Sequence, residues 1–243
     1  MSESRIRSPK TVGVLGGMGP EATADLFAKI VRSTPAQRDQ DHLRILVDCN
    51  PQVPDRTAAI QGRAQSPAPV LCAGARRLAS WGAQLLVIPC NTAHYYHSEI
   101  AAAVSIPVLH IMEETAALIL REHPKVRQVG VLASTGTLDT GLYREALAAV
   151  GLRELVPGAE EQSLVMQAIY GVKAGRVTEA RDQLRSVAAA LVSAGAEAII
   201  AGCTEVPIAL GPEDIAALYV DATMALALAA VREATSGPEV GEE

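Results

Sequence analysis

The sequence predicts an α/β protein in which one parallel-sheet unit is used twice, and three observations carry that prediction. The first is alternation. Short β-branched apolar runs, each stopping at a small or turn-forming residue, take turns with segments of helical period. Continuous apolar runs of strand length are typical of strands buried on both faces, hence of parallel sheets covered by helices. The second is a repeat: Val12-Gly13-Val14-Leu15 recurs unchanged at 129–132, 117 positions later (129 against 12). The third is that other features keep the same order at nearly the same offset. Cys90 and Cys203 lie 113 apart, and the short strands at 108 and 218 lie 110 apart. An offset drifting only from 117 to 110 across a half fits duplication with small deletions.

Size and composition set the bounds. The chain has 243 residues, enough for one large domain or two small ones. With 49% hydrophobic and 20% charged residues it has an ordinary globular balance. Aromatics are only 3% while alanine is abundant, so its helices are expected to pack through small side chains. The net charge of −6 argues against a nucleic-acid or anionic-membrane partner. Four cysteines without a Cys-x-x-Cys are too sparse for a disulfide scaffold. No apolar run reaches the ~18 residues of a membrane helix, and residues 1–10 lack the apolar core of a signal peptide. A cytoplasmic, reducing location is expected.

In chain order, residues 1–10 are polar and expected to fray. A strand at 11–16 ends in Gly16-Gly17-Met18-Gly19-Pro20, where Pro20 suits the first turn of a helix and Glu21 suits its dipole. The helical period runs over 22–32. A second strand spans 42–49 and a loop follows at 51–57. A helical stretch then reaches Ser80, interrupted between Gly62 and Pro69. Strand 84–89 precedes a helix at 92–103, and a short fourth strand, 107–110, precedes a helix at 112–122. The second half repeats this with strand 128–133, helix 139–150, strand 153–157, helices 160–172 and 177–194, strand 197–201 and strand 218–220. Helix 222–234 closes the fold, and the Gly- and Glu-rich tail 236–243 is expected to be disordered. The repeat makes the helices after 108 and 218 equivalent, so each short strand carries the chain across a cleft. The expected first domain is therefore discontinuous, 1–108 plus 220–243, with 109–219 as the second.

The chemistry is expected at two strand ends that answer each other, Pro89-Cys90-Asn91-Thr92 and Gly202-Cys203-Thr204-Glu205. Ligands of open α/β sheets collect beyond the carboxyl ends of strands, and a pseudo-twofold sets Cys90 opposite Cys203. Inverting a Cα centre needs a base on one face and an acid on the other, exchanging roles with direction. A thiolate serves as the base when a helix N-terminus lowers its pKa. Thr92 and Thr204 can add hydroxyl hydrogen bonds and Asn91 an amide. A lone strand-end cysteine is more often an inert buried residue; duplication of its whole setting reverses that preference. Cys49 and Cys72 lack such settings and are read as structural. His94 and His97, at helical spacing, are read as a helix face. Glu205 either orients the second thiol or favours a helix start.

Gly16-Gly17-Met18-Gly19-Pro20-Glu21-Ala22-Thr23 and the two cysteine motifs resemble the aspartate/glutamate racemase superfamily, in particular its aspartate racemase branch, over nearly the whole chain. The resemblance implies two Rossmann-like domains with the active site between them, commonly in a homodimer. It implies a racemase for L- and D-aspartate or a related acidic amino acid, working without PLP or any other cofactor. Cys90 and Cys203 are then the catalytic pair. Asp55-Arg56-Thr57 and Lys173 look like the family's carboxylate-binding residues. Arg56 offers a planar fork and Lys173 a point charge, although taken alone each is better read as serving nearby carbonyls or a helix end. Backbone N–H groups around Met18-Gly19 and Thr135-Gly136-Thr137 are candidate holders of the α-carboxylate. The Asp-Ser-Gly opening of bacterial glutamate racemases is missing. Relatives include broad-specificity racemases and other cysteine-based isomerases.

Two readings of another class compete. Gly17-Met18-Gly19-Pro20-Glu21-Ala22, with Asp48 ending the next strand, fits a dinucleotide fingerprint, yet it leaves the paired cysteines unexplained. A non-catalytic amino-acid binding protein or thiol redox sensor would use the same cleft.

Overall fold

The computed structural model of the chain describes residues 9–236. The polar start through residue 8 and the tail from 237 lie outside the described residues. The first half comprises β1 (Val12–Gly16), α1 (Pro20–Ser33), β2 (Ile45–Cys49), α2 (Arg56–Ile60), α3 (Ala68–Ser80), β3 (Leu85–Val87) and α4 (His97–Ala102). The second comprises α5 (Ile111–Glu122), β4 (Gln128–Leu132), α6 (Thr135–Asp139), α7 (Leu142–Ala149), β5 (Arg153–Leu155), α8 (Ala159–Lys173), α9 (Val177–Ser193), β6 (Ala198–Ala201), α10 (Val206–Ala209), β7 (Leu218–Asp221) and α11 (Ala222–Thr235).

Both sheets are parallel. The first has the order β2-β1-β3 and the second β5-β4-β6-β7. A single parallel bridge from Leu86 to Val108 continues the first sheet where β7 continues the second, so the two orders correspond. The short strand expected at 107–110 is reduced to that bridge. Leu86 still binds both sides of it, its N–H donating to Pro107 O and its carbonyl accepting from Leu109 N, 2.8 and 2.9 Å. Pro107 contributes no N–H, and His110 already serves as the N-cap of α5.

Other boundaries shift for local reasons. The expected helix 92–103 is a 3₁₀ turn, Thr92–Tyr96, followed by α4. The expected helix 139–150 starts only at Leu142, as α7, behind Gly141 at φ 69°, and the short α6 precedes it. Strand 42–49 shrinks to β2, an edge strand none of whose residues is fully buried.

Apolar burial joins the halves. One cluster runs from Val12, Leu26 and Leu85 through Ile111 and Met112 to Val131, Ile200 and Leu226. Two further clusters cover the outer faces, one around Leu71 and Ile88, the other around Val165, Leu184 and Ile199. α11 buries Ala222, Ala225, Ala227, Ala229, Ala230 and Ala234, and these small side chains let it pack closely on α1 and α5. Its end also meets the start of the chain, where Lys10 N donates to Ala234 O at 2.9 Å.

The glycine-rich turn after β1 is filled by the protein itself. Gly17 sits at φ +96°, and a Cβ there would lie 2.3 Å from the Asn50 backbone. Its N–H donates to Thr23 Oγ1 at 2.8 Å. Gly17→Ala therefore combines an unfavourable φ with a backbone clash, and is expected to cost at least about 2 kcal/mol. A urea titration reads this as a lower midpoint at unchanged slope; an unshifted midpoint would mean the turn relaxes freely.

Candidate active site

The carboxyl ends of the two sheets face one another across a cleft of ≈ 430 Å³, its mouth included. In this strand order the switch points lie between β1 and β3 in one half and β4 and β6 in the other, where ligands of such sheets gather. Cys90 follows β3 and Cys203 follows β6, and both line this cleft, buried to 5% and 9% exposure. Met18, Arg56, Asn91, Thr92, Lys173 and Thr204 line it too.

The two thiols have opposite neighbours. Arg56 faces Cys90. Burial opposes charge on this guanidinium, but Cys90, Asp55 and Glu205 around it hold its pKa above the ordinary value. Its Nη1 donates to Val53 O and Pro54 O at 3.2 and 3.1 Å, its Nη2 reaches Met18 O at 3.4 Å, and its Nε has no protein partner. Arg56 thus serves loop carbonyls and the cleft together. Asp55 caps α2, accepting from Ala58 N at 2.7 Å.

Cys203 instead donates its Sγ–H to Glu205 Oε2 at 3.0 Å. Burial first, and the Glu205 carboxylate second, push this thiol well above its ordinary pKa. That corrects the expectation of a helix-activated thiolate on this side: the following helix, α10, has four residues, and the nearest full charge is negative. The other oxygen of Glu205 forms an ion pair with Lys173 Nζ. Burial opposes the charge on Lys173, and Glu205 more than restores it. Lys173 is therefore engaged, not a free point charge. Gly19 borders this pair; a Cβ there would stand 3.7 Å from Glu205 Oε1 and 3.9 Å from Lys173 Nζ.

The cleft floor is a buried hydroxyl triangle across the halves. Thr92 Oγ1 lies 2.9 Å from Ser134 Oγ and 2.8 Å from Thr137 Oγ1, which are 3.0 Å apart. Tyr143 Oη donates to Asn91 Oδ1 at 2.7 Å, leaving Asn91 Nδ2 buried without a protein partner and able to donate to a ligand oxygen.

At 135–137, two of the amides expected to hold the α-carboxylate are engaged within the protein. Thr135 N donates to Met166 Sδ at 3.2 Å, and Thr137 N is taken by Ser134, the cap of α6. Gly136 is where α6 closes on α2, since a Cβ there would meet Thr57 Oγ1 at 2.6 Å. Ser134, Met166, Ile169 and Tyr170 line the cleft and were missed by motif reading, which left Glu205 open. The repeat offset of 117 maps Gly17 onto Ser134, which was the available signal. Cys49 is exposed and Cys72 half-buried, so Cys49 is not a buried structural residue.

The site disfavours the dinucleotide reading. At Gly19, the glycine a pyrophosphate would approach, the nearest group is the Glu205 carboxylate, and Asp48 is bound to Arg77 at 2.7 Å.

Two like parallel sheets whose carboxyl ends bring two thiols to one cleft define a two-lobed α/β protein with a candidate active site between its halves. The chain belongs to the Asp/Glu/hydantoin racemase family, whose model matches residues 15–238. It is 30% identical over 200 residues to the broad specificity amino-acid racemase RacX of Bacillus subtilis, covering 80% of this chain and 85% of that one. Among solved structures it resembles the Picrophilus torridus aspartate racemase, with TM-score 0.84 and 29% identity over 93% of this chain and 94% of that one. An aspartate racemase homologue from Pyrococcus horikoshii, 24% identical, shares the fold with TM-score 0.75 over 93% and 100% of the two chains. No helix among the described residues is long and apolar enough to cross a membrane.

Proposed function

We propose that this racemase interconverts L- and D-aspartate, or a closely related acidic amino acid, by two-base proton transfer between Cys90 and Cys203 without PLP. The single observation that carries this reading is that two free thiols, from equivalent strand ends of the two halves, line one cleft with opposite electrostatic partners. Cys90, beside the Arg56 cation, is the base that takes the Cα proton. The carbanion electrons spread into the α-carboxylate, and Cys203 delivers its proton to the other face. In the reverse direction the roles exchange. Asn91 Nδ2 and Arg56 are donors for substrate carboxylate oxygens. A side-chain carboxylate entering beside Lys173 competes with Glu205 for its ammonium.

That competition also supports a second reading, a broad-specificity amino-acid racemase. With the Lys173 charge already met by Glu205, an uncharged side chain leaves no cation unpaired. Polarimetry with L-aspartate, L-glutamate and L-alanine, no PLP added, separates the two; no rotation change with any of them would leave a binding protein.

Arg56→Ala is expected to weaken substrate interaction on the order of 2–4 kcal/mol, and by more for aspartate than for alanine. Equal losses in kcat/KM for both would make the guanidinium structural. Free thiols on all four cysteines fit a cytoplasmic, reducing setting. α11 packs on α1 and β3, which supports the division 1–108 plus 220–243 and 109–219, although it also packs on α5 of the second part; sedimentation would test the homodimer that the relatedness suggests.

A further inference from the structure

Three histidines meet where the chain leaves the first sheet. The His94 and His97 rings stand nearly parallel with centroids 5.9 Å apart, and His110 meets both edge-on at 4.9 and 4.8 Å. They do not form a metal site: among the described residues no three such ligands converge, and both nitrogens of His94 are already bound. The Ile111 N–H can only donate, so His94 Nε2 must accept from it, at 3.1 Å. The ring proton therefore sits on Nδ1, which donates to the carbonyl of Cys90 at 2.9 Å. The 3.4 Å approach of Leu109 O to Nε2 is then a contact without a proton. His97 Nε2 bonds Val108 O at 2.9 Å, on the same crossover.

The Ile111 amide is one of the first-turn donors of α5 that have no intrahelical partner, and the side chain of the N-cap residue His110 does not bond it. His94 supplies the missing acceptor from another element. One buried ring, 2% exposed, thus joins the residue entering α5 to the main chain of a cleft cysteine. Burial, then His110 and His97, keep this ring neutral, with its pKa pushed down to about 3.

We infer that His94 is a positioning residue for Cys90, fixing the cysteine's carbonyl relative to the start of α5 so that the crossover sets where the thiol stands. This rests on Cys90 being one of the acid–base pair. A role confined to capping α5 would need only the Nε2 side of the ring. A positioning role needs the Nδ1 side, and the two can be separated. His94→Asn keeps a donor near Nδ1, His94→Gln reaches towards Nε2, and His94→Ala keeps neither.

The test uses two readouts on the full-length chain. The first is iodoacetamide alkylation of Cys90 against Cys203 in the same sample, followed by mass spectrometry, so that each thiol controls for the other. The second is the primary isotope effect on kcat/KM with Cα-deuterated L- and D-aspartate. His94→Gln and His94→Ala are expected to change the alkylation ratio at least about tenfold and to lower kcat about 10²-fold, the cost of a misplaced reacting group. The isotope effect should rise for the enantiomer deprotonated by Cys90 and fall for the other. His94→Asn should restore both readouts to within about threefold of wild type, far short of that loss. His97→Ala, which does not touch Cys90, should leave them unchanged. An unchanged alkylation ratio in His94→Gln, or Asn and Gln falling alike, would overturn the inference. Full racemisation by Cys90→Ala would instead overturn the reading of the site, while the alkylation ratio would still decide whether His94 positions Cys90.

Discussion

Cys90→Ala and Cys203→Ala are each expected to lose racemisation by at least about 10³-fold, the scale of a general acid or base. Serial proton transfer needs a group on each face of the substrate, so neither thiol can stand in for the other. The two variants should nevertheless differ. Abstraction and return on one face need one thiol, so each single variant can still exchange the Cα proton of one enantiomer with solvent, and the two variants should favour opposite enantiomers. Polarimetry measures the first effect, and proton NMR of each enantiomer in D₂O the second. A single variant racemising at close to the wild-type rate would remove the two-thiol mechanism.

Glu205→Gln is expected to have the second largest effect. Glu205 accepts a hydrogen bond from the Cys203 thiol with one oxygen and pairs with Lys173 through the other. Burial is the main reason the Cys203 thiol lies far above its usual range, and the neighbouring carboxylate adds to it. Removing that charge should let Cys203 ionise at lower pH, although burial keeps it above an exposed thiol. The same change releases Lys173 to meet a substrate carboxylate without competition. Together these should lower kcat about 10²-fold while KM for aspartate falls. The pH profile of Cys203 alkylation checks the first part, and an unmoved profile would contradict it. Stability follows in sign. A thiol whose folded pKa lies above its unfolded value contributes stability that is present below the unfolded value and lost as pH rises through the folded one. The variant should lose less stability on the alkaline side than the wild type.

Much of this was legible in the sequence because it depends on pattern. Buried parallel strands must be apolar throughout, so β1, β3, β4 and β6 stood out, and the repeated Val-Gly-Val-Leu anticipated two sheets of matching order. Strand ends of such sheets border the ligand cleft, so the placement of Cys90, Asn91, Thr92, Cys203 and Thr204 along it could be read from position. What stayed hidden depends on contacts between distant residues or on local hydrogen bonds. The pairing of Lys173 with Glu205, 32 residues away, turns an expected free cation into half of an ion pair. The amide of Thr137 is consumed by Ser134, and a capping bond of this kind leaves no periodic trace. His94 and His97 have the spacing of a helix face, yet His94 is buried because the crossover at 108–111 folds back over it.

The central claim, that two separate groups serve the two faces of the substrate, is tested most directly by the initial-rate fate of the Cα proton in D₂O. Racemisation is started from each pure enantiomer, and product and recovered substrate are separated before the reaction has progressed far. Two bases require that the product, of either handedness, carry deuterium at Cα, because its hydrogen comes from the thiol that did not abstract. The recovered substrate should remain largely protium. Product that retains the original protium from both starting enantiomers would mean that a single group carries the proton between faces, and would contradict the two-thiol mechanism.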